Sequence, residues 1–286
     1  EPRRLAARAA AERMASSLGE AVGGTVGYRI RGEARVGRQT RIEVVTEGIL
    51  TRMLQADPAL EGVGTVIFDE FHERSLNADL GLALCLEVRG ALREDLLLLP
   101  MSATLDAAPV AALMGDAPVV TAEGRAYAVE IVHRDTPLAK GARLETAVAE
   151  TVAQALRDVA GSVLVFLPGE GEIRRVARAL DVPGDVSVHP LYGAMPFGDQ
   201  RAAIAPPAPG RRKVVLATAI AETSLTIEGI AAVVDAGRAR RARFDPGTAM
   251  SRLVTERVSR AEATQRAGRA GRLGPGRCYR LWTKGE

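Results

Sequence analysis

The stretch GVGTVIFDEFHERS, residues 62–75, joins an apolar run to two adjacent carboxylates. The run is rich in β-branched residues and ends at Phe68, and Asp69 and Glu70 follow directly, with His72 two positions further on. Runs of this length and composition are typical of β-strands. Ligands of open parallel sheets bind beyond the carboxyl ends of the strands, so the polar residues after each such run are candidate site residues.

Short apolar runs of this kind alternate with helical segments along the chain, which predicts an α/β fold of parallel sheets covered by helices. The runs form two groups. Residues 122–144 separate the groups and carry turn formers without a helical period until a helix begins at LETAVAETVAQALRDV (144–159). We therefore predict two domains, 1–123 and 124–286. The predicted strands are RIEVVT (41–46), TVIFD (65–69), LLLLPMS (96–102), VLVFL (163–167), VSVHPL (186–191), KVVLAT (213–218) and AAVVDA (231–236).

Composition excludes several classes of protein. The apolar runs are far shorter than the roughly 20 residues that cross a bilayer, so no membrane partner is expected. Cys85 and Cys278 lie far apart in the sequence, which fits reduced thiols in a cytoplasm, and three scattered histidines argue against a metal site built from ring nitrogens. The net charge of +3 is too balanced to indicate a nucleic-acid partner by itself.

Asp69 and Glu70 allow two interpretations. Acidic residues often end a buried strand because solvent begins there. In the functional interpretation, Asp69 orients a hydrated Mg²⁺ on the outer phosphates of a nucleotide, while Glu70 polarises the attacking water. That chemistry requires two carboxylates that point in different directions, one toward the metal and one toward the water. Adjacent residues at the end of a strand can provide them.

A second candidate element is SRAEATQRAGRAGR, residues 259–272. Ser259 is a candidate helix N-cap and Glu262 has the capping-box spacing, which predicts a helix from this point. Gly268 and Gly271 each weaken a helix by about 1 kcal/mol relative to alanine. We expect another surface to approach closely at these glycines.

On that predicted helix, Gln265, Arg269 and Arg272 stand at i, i+4 and i+7 and therefore share one face. The alternative is a solvated basic helix. Arginines that face a metal and carboxylate site on another domain can stabilise charge on a transferred phosphoryl group.

Five segments, taken in order, resemble the motifs of the DEAH-type helicases across nearly the whole chain. The resemblance implies two RecA-like domains that clamp ATP between them, with a nucleic-acid strand running across both. The segments are DEFHERS, MSATLD (101–106), VFLPGEGEI (165–173), LATAIAETSLTIEGI (216–230) and QRAGRAGR (265–272).

The resemblance also implies roles for individual residues on the nucleotide side. Asp69 and Glu70 serve Mg²⁺, partly through water, and the attacking water, and His72 couples this site to the second domain. The remaining assignments are Ser102 and Thr104, which link hydrolysis to strand movement; Thr226 and Glu228, which approach the nucleotide from the second domain; and Gln265, Arg269 and Arg272, which complete the phosphate site.

On the strand side, the matching positions are Arg3, Arg4, Thr46 and Thr218. Hydroxyls and guanidinium groups suit phosphate and sugar contacts, which fix position without reading sequence. Without the resemblance, Arg3 and Arg4 read as an ordinary charged helix start.

Residues 237–260 match the segment that carries a strand-separating β-hairpin in these helicases. They contain DPG between two extended runs and a cluster of arginines, so binding through them should weaken steeply with salt.

The chain departs from the family pattern at several points. It contains no G-x-x-x-x-G-K-[ST] loop. We therefore expect a fragment whose first domain is truncated at its N-terminus and which lacks the C-terminal accessory domains of the family. Alone, it should bind ATP poorly, hydrolyse it negligibly and aggregate through uncovered apolar faces and open strand edges. Ile204 stands about where some related enzymes place a base-stacking aromatic, which predicts that other NTPs besides ATP are used.

The resemblance implies the motor core of an ATP-dependent RNA helicase that moves 3′ to 5′, and the cysteine usage predicts a cytoplasmic protein. Two alternatives stay open: a catalytically inactive nucleic-acid-binding remnant, and a DNA-directed helicase. A Lys-Thr or Lys-Ser glycine loop encoded upstream of Glu1 would favour the enzyme. Contacts dominated by phosphate barely distinguish RNA from DNA, because only the 2′-hydroxyl differs at the backbone.

Overall fold

The computed structural model describes residues 1–103, 107–122, 124, 127–139, 141–222, 227–248 and 250–286. The chain divides into two compact units, Glu1–Ala122 and Glu123–Glu286. Among the described residues, no helix combines the length and the apolar character needed to cross a membrane.

The described part of the first unit contains two small sheets and four α-helices. In one sheet the strand order is β2-β1-β3, with β1 antiparallel to β2 and parallel to β3; in the other, β4 and β5 pair in parallel. Its elements are α1 (Arg4–Ser17), β1 (Val26–Ile30), β2 (Glu33–Arg35), β3 (Ile42–Val45), α2 (Glu47–Ala56), β4 (Thr65–Phe68), a 3₁₀ turn (Phe71–Glu73), α3 (Leu76–Ala91), β5 (Leu97–Pro100) and α4 (Ala108–Leu113).

Each small sheet is covered by helices on one face. Alanines of α1 pack on β1, and α2 and α3 pack on the face of β4 that carries Val66 and Phe68. The opposite face of β4 and β5 is apolar but open, since Ile67, Leu97 and Leu99 are 52, 66 and 49% exposed. The sequence analysis expected uncovered apolar side chains in this unit, and exposed patches of this kind promote association.

The second unit is built on a six-stranded sheet of order β6-β13-β10-β7-β9-β8, in which every pair is parallel. A separate antiparallel hairpin is formed by β11 and β12. The elements are β6 (Val129–His133), α5 (Leu144–Asp158), β7 (Ser162–Phe166), α6 (Glu170–Ala179), β8 (Val186–Leu191), α7 (Phe197–Ile204), β9 (Arg212–Ala217), a 3₁₀ turn (Ala219–Ala221), β10 (Ile230–Asp235), β11 (Arg238–Asp245), β12 (Met250–Arg257), α8 (Arg260–Gly268), a second 3₁₀ turn (Arg269–Gly271) and β13 (Gly276–Arg280).

The core of this unit lies on both faces of β7, whose five residues are all buried. Side chains alternate across a strand, so Val163 and Val165 face α5 and α6, while Phe166 lies on the face where α8 packs. Burial on both faces explains why the central strands read as unbroken apolar runs.

All seven predicted strands are present within one or two residues, as are the helix at Leu144 and the hairpin. The predictions missed four strands. β1 and β2 were not foreseen, β6 lies inside the segment read as turn formers, and β13 has the sequence GRCYR, whose arginines hide the alternation.

The helix predicted from Ser259 begins as expected, with a complete capping box between Ser259 and Glu262. It is shorter than predicted, because the α-helix ends at Gly268 and a 3₁₀ turn follows. The prediction that Arg269 and Arg272 lie on the α-helix with Gln265 is therefore wrong. A 3₁₀ turn has three residues per turn instead of 3.6, so this spacing keeps Arg269 and Arg272 on one side of the turn. Arg269 is buried, whereas Arg272 is exposed.

The two glycines of this element differ. A β-carbon at Gly271 would meet the Tyr127 carbonyl oxygen at 2.6 Å and a Val129 methyl at 2.7 Å, which confirms the expected close approach. Among the described residues, a β-carbon at Gly268 would meet no atom within 4 Å outside its own helix and chain neighbours, so the expected close approach is not seen there.

Candidate nucleotide and nucleic-acid sites

The carboxylates of the first unit lie where β4 ends, on a strained turn. Glu70 has φ 52° and ψ 35°, in the left-handed region that non-glycine residues seldom occupy. The Glu70 amide donates to Asp69 Oδ1 at 2.9 Å. Strain of this kind is retained where neighbouring structure enforces it, which is common at functional sites.

His72 connects the acidic pair to the segment after β5. Its Nε2 lies 3.3 Å from Glu70 Oε2, and its Nδ1 accepts from the Ala103 amide at 3.5 Å. A neutral ring protonated at Nε2 satisfies both contacts. The Phe71 amide donates to the Met101 carbonyl at 2.9 Å, so the DEFH segment and the residues around Ser102 are held side by side. Thr104 lies outside the described residues.

A neighbouring acid was missed by the sequence analysis. The Glu1 carboxyl hydrogen-bonds to Asp69. Burial raises the pKa of the Glu1 carboxyl, and Asp69 and Glu70 add to the rise. A bound cation would relieve this concentration of carboxylates.

Asp69 and Glu70 fit a magnesium ion in their donor chemistry. Within the residues that the structure describes, no group of three or more His, Cys, Asp or Glu side chains could hold a metal. Magnesium usually takes one or two carboxylates and fills its octahedron with water and phosphate oxygens, so two carboxylates suffice for a nucleotide-bound ion.

The strand-binding candidates of the first unit lie near one another. The Glu47 amide, directly after Thr46, donates to the Glu1 carbonyl at 3.3 Å, which brings Thr46 beside the segment of Arg3 and Arg4. Arg3 pairs with Glu73 at 3.2 Å, and Arg4 is exposed. Thr46 is the N-cap residue of α2 but its hydroxyl makes no capping bond.

In the second unit, α8 packs on one face of the sheet and places at the carboxyl end of β10 an arginine that the sequence analysis did not select. Arg266 is fully buried, with Nη1 2.8 Å from Asp235 Oδ1 at the end of β10. Its Nη2 lies 3.4 Å from Glu222 Oε2, and its guanidinium stacks 4.9 Å from the centre of the Phe166 ring. These contacts join the ends of β10 and β7 to the residues after β9.

Arg269 is held by the same segment, because its Nε donates to the Glu222 carbonyl at 2.9 Å and its Nη2 donates to the same oxygen. Arg269 and Arg272 both line a shallow hollow with Ala221 and Ile227. The two predicted phosphate arginines are therefore brought together, and Glu222 fixes the first of them.

The remaining candidates of this unit are distributed around that region. Thr218 follows β9 directly and its amide donates to the Leu191 carbonyl at 3.1 Å, which links the ends of β9 and β8. Gln265 is half-buried on α8 and Glu228 is exposed. Thr226 lies outside the described residues.

A usable sequence signal existed for the missed residues. Asp235 ends the seventh apolar run, so the rule that polar residues after strands are site candidates would have found it. Glu222 and Arg266 lie inside two of the quoted motifs. Their pairing could not be read because it depends on the tertiary fold.

The parallel sheet of the second unit, with Arg266 buried at the carboxyl end of β10, has the RecA-like fold of a helicase C-terminal domain. Residues 146–274 match the family model described as "Helicase conserved C-terminal domain", and the chain is similar to DEAH-type helicases over its whole length. It is 58% identical, over 99% of its length, to the ATP-dependent RNA helicase HrpB of Escherichia coli strain K12.

Other proteins similar to this chain are also helicases by name. The chain is 41% identical, over 99% of its length, to the pre-mRNA-splicing factor ATP-dependent RNA helicase prp22 of Schizosaccharomyces pombe. The crystal structure of the Escherichia coli DEAH/RHA helicase HrpB superposes with a TM-score of 0.93 at 57% identity, covering 100% of this chain and 36% of that one. A crystal structure of the E. coli DExH-box NTPase HrpB gives a TM-score of 0.84 at 57% identity, covering 100% of this chain and 35% of that one. The chain spans 35% of the length of HrpB and 25% of that of prp22.

Proposed function

We propose that the protein containing this chain is a cytoplasmic, ATP-dependent RNA helicase that moves 3′ to 5′. The observation that carries the proposal is the position of Asp69 and Glu70 directly after the carboxyl end of β4, in a chain 58% identical to a protein named an ATP-dependent RNA helicase. Residues 1–123 would act as an incomplete ATP-binding RecA-like domain, and residues 124–286 as the second RecA-like domain.

In the proposed reaction, the chain's own residues position the nucleotide and the attacking water. Glu70 polarises that water, and its contact with His72 holds the carboxylate in a fixed orientation. Mg²⁺, held by Asp69 and through water by Glu70, would neutralise charge on the outer phosphates. Gln265, Arg269 and Arg272 would stabilise charge that develops on the transferred phosphoryl group. ATP is the expected substrate, and other NTPs would be accepted.

Coupling and strand binding complete the proposal. Ser102 and Thr104 would link hydrolysis to movement of the strand, and Thr226 and Glu228 would contact the nucleotide. The strand itself would be held by Arg3, Arg4, Thr46 and Thr218, whose groups suit phosphate and sugar contacts.

Measurements of ATP hydrolysis by the full-length protein test this function. We expect RNA to stimulate ATP hydrolysis more than DNA of the same sequence, with stimulation that falls as salt rises. Glu70→Gln should lower kcat by about 10²–10⁴, the range for loss of a positioned general base. Glu87→Gln, on the exposed side of α3, removes the same charge elsewhere and should leave kcat unchanged.

Three outcomes would overturn parts of the proposal. Unchanged turnover in Glu70→Gln would remove the role given to that carboxylate. Equal or greater stimulation by DNA would identify a DNA-directed motor. Nucleic-acid binding without hydrolysis by the wild-type protein would identify a binding remnant.

A further inference from the structure

The segment RVGRQTR, residues 35–41, carries three arginines and no acidic residue. Its formal charge of +3 equals the net charge of the whole chain. The segment includes the last residue of β2 and the connection to β3, where it forms a basic turn. Its arginines, Arg35, Arg38 and Arg41, are all exposed and have no role in the predicted sites.

Hydrogen bonds fix the middle of the basic turn. The Thr40 amide donates to the Gly37 carbonyl at 3.2 Å, and the Gly37 amide donates to Thr40 Oγ1 at 2.9 Å. The Thr40 hydroxyl donates to the Gly24 carbonyl at 2.9 Å, and the Arg41 amide donates to the Thr25 carbonyl at 2.8 Å. The turn is therefore attached to the residues that precede β1.

The two ends of the basic turn come together beside a glycine of β1. A β-carbon at Gly27 would meet the Arg35 carbonyl oxygen at 2.5 Å and the Thr40 methyl group at 3.2 Å. Both groups therefore lie next to the same point of β1, and the close approach requires glycine there. The three guanidinium groups consequently project from one compact turn.

The neighbouring acids do not neutralise these arginines. Among the described residues, none of the three arginines of the basic turn forms an ion pair. Glu33 pairs with an arginine of α1, and Glu43 pairs with an arginine of β1 at 2.7 Å. Glu20 accepts a hydrogen bond from the Val26 amide at 3.0 Å. The positive charge of the turn is therefore uncompensated within the described part of the chain.

The arginines of the β11–β12 hairpin differ in this respect. Arg240 pairs with Glu172, and Arg241 and Arg243 both pair with Glu256. Acids of the same unit thus neutralise three arginines of the hairpin. A cluster of like charges without such partners creates a positive potential that attracts anions. The basic turn has this property to a greater degree than the paired arginines of the hairpin.

The basic turn lies at the opposite edge of its sheet from Thr46. β1 and β3 are parallel, and the turn precedes β3 at the amino ends of both strands. Thr46 follows the carboxyl end of β3. Five extended residues separate Arg41 from Thr46, a distance of about 16 Å along the strand. The turn is therefore separate from the predicted strand contacts of the first unit.

The composition of the basic turn indicates the kind of partner that fits it. Guanidinium groups donate paired hydrogen bonds to phosphate oxygens. The turn contains no aromatic residue that could stack on a base, so binding would not depend on base identity. Val36 is its one apolar side chain, whereas binding to a membrane surface requires a larger apolar face. These features favour the phosphate backbone of a nucleic acid.

We infer that the basic turn is a second contact for the phosphate backbone of RNA, outside the predicted path through Arg3, Arg4 and Thr46. It holds a part of the RNA that a strand confined to that path does not reach. The inference rests on the proposed helicase function, and it adds a surface that sets the affinity for RNA without taking part in hydrolysis.

The experiment compares triple variants of the full-length protein. The glutamine variant, Arg35→Gln/Arg38→Gln/Arg41→Gln, removes the charge of the basic turn. The lysine variant, Arg35→Lys/Arg38→Lys/Arg41→Lys, keeps the charge and tests whether charge alone is responsible.

A control variant removes the same charge from exposed positions on α5, α6 and α7: Arg157→Gln/Arg178→Gln/Arg201→Gln. Fluorescence anisotropy measures Kobs for single-stranded RNAs of increasing length, without nucleotide, at salt concentrations from about 50 to 200 mM. RNA-stimulated ATP hydrolysis gives kcat and the KM for RNA.

With long RNA, we expect the glutamine variant to reduce the slope of log Kobs against log salt by about 2, because each phosphate contact contributes about 0.7. The advantage of the wild type in affinity then shrinks about 20-fold between about 50 and 200 mM salt. RNAs that fill only the predicted path should show equal slopes in both proteins. The KM for RNA should rise in the glutamine variant while kcat at saturating RNA stays unchanged.

The lysine and control variants should keep the wild-type slope at every RNA length. An unchanged slope in the glutamine variant with long RNA, or an equal reduction in the control variant, would overturn the inference. A reduction in the lysine variant as large as in the glutamine variant would also overturn it, because the arginines would then only support the fold of the turn.

A further arm tests the alternative partner. Binding of the wild type, but not of the glutamine variant, to vesicles that contain phosphatidylserine, together with an unchanged RNA slope, would identify a membrane surface and overturn the inference. Failure of the proposed function has a different signature. A wild-type protein that shows the expected binding slopes but hydrolyses no ATP would refute the helicase and retain the basic turn as a nucleic-acid contact.

Discussion

Arg266 Nη1 lies 2.8 Å from Asp235 Oδ1, and the two side chains are 1 and 0% exposed. Glu222 adds a second carboxylate at 3.4 Å. Removing two charges from water is costly, and a buried pair offsets that cost only while both partners are present. This contact fixes α8 on the sheet and thereby fixes the orientation of Arg269, which follows the helix.

Breaking this buried pair should destabilise the second unit strongly. We expect Arg266→Met or Asp235→Ala to lower the free energy of unfolding of residues 123–286 by about 3–5 kcal/mol, measured by urea denaturation. Arg277 pairs with Glu130 at 2.8 Å on the surface. In the control variant Arg277→Met, the free energy of unfolding should fall by less than about 1 kcal/mol. Equal losses in the buried and surface variants would contradict this account.

Alanine substitution at the two glycines near the end of α8 should change the free energy of unfolding in opposite directions. Gly268→Ala has open space around the new methyl group and should stabilise by about 0.5–1 kcal/mol through helix propensity. Gly271→Ala would force its methyl group against the Tyr127 carbonyl, and we expect a loss of about 1–3 kcal/mol. Thermal unfolding of both variants measures the difference, and stabilisation by Gly271→Ala would refute the close approach.

The hairpin arginines should set the salt dependence of nucleic-acid binding. Arg238 and Arg252 are exposed on β11 and β12. Removing one arginine–phosphate interaction should reduce the slope of log Kobs against log salt by about 0.7 for a single strand. We expect that change in Arg238→Ala and Arg252→Ala, measured by fluorescence anisotropy with the full-length protein. Arg201→Ala, an exposed arginine on α7, is the control. Slopes that are unchanged in both hairpin variants would place the strand elsewhere.

Lys213 should give the second unit a pH-dependent stability. Its ammonium donates to the Ala203 carbonyl at 2.7 Å and to that of Ala205, and burial lowers its pKa from 10.5 to about 8. Between pH 8 and 10.5 the folded chain has lost this proton while the unfolded chain keeps it, so stability rises with pH in that window. The gain amounts to about 3 kcal/mol and is absent below pH 8.

The comparison for this prediction is Lys213→Met, followed by urea denaturation from pH 7 to 10. The difference between wild type and variant isolates Lys213 from Cys278. Burial raises the pKa of that thiol from 9.0 to about 12, so it removes stability above pH 9 in both proteins. A difference that stays constant across the range would show that Lys213 does not titrate as described.

The sequence predicted elements whose physical cause is local. The run VLVFL reads as a strand because β7 is buried on both faces, and the hairpin follows from DPG between two extended runs. The strand β13 was not predicted because its partner strands, β10 and β6, are remote in sequence. Arg277 of β13 pairs with Glu130 only once β6 lies beside it. The same limit applies to Arg266, whose burial depends on Asp235.

For the candidate site too, the sequence predicted the local features and missed those that depend on the tertiary fold. The sequence identified Asp69, Glu70 and His72 as neighbours because they lie on one short turn. It predicted an α-helix that continues through Arg269 and Arg272 because it could not foresee the change to a 3₁₀ turn after Gly268. The role of Glu222 in holding Arg269 arises from a backbone carbonyl, which no residue pattern encodes.

Glu70 of the first unit and Arg272 of the second are both proposed to act in the hydrolysis of ATP. The most direct test is kcat for RNA-stimulated hydrolysis by the full-length protein in Arg272→Ala, Glu70→Gln and the double variant, with Arg260→Ala as control on exposed α8 surface. We predict a fall of about 10³-fold or more in Arg272→Ala and a double variant no slower than the slower single one. Wild-type turnover in Arg272→Ala, or two losses that multiply in the double variant, would contradict this shared role.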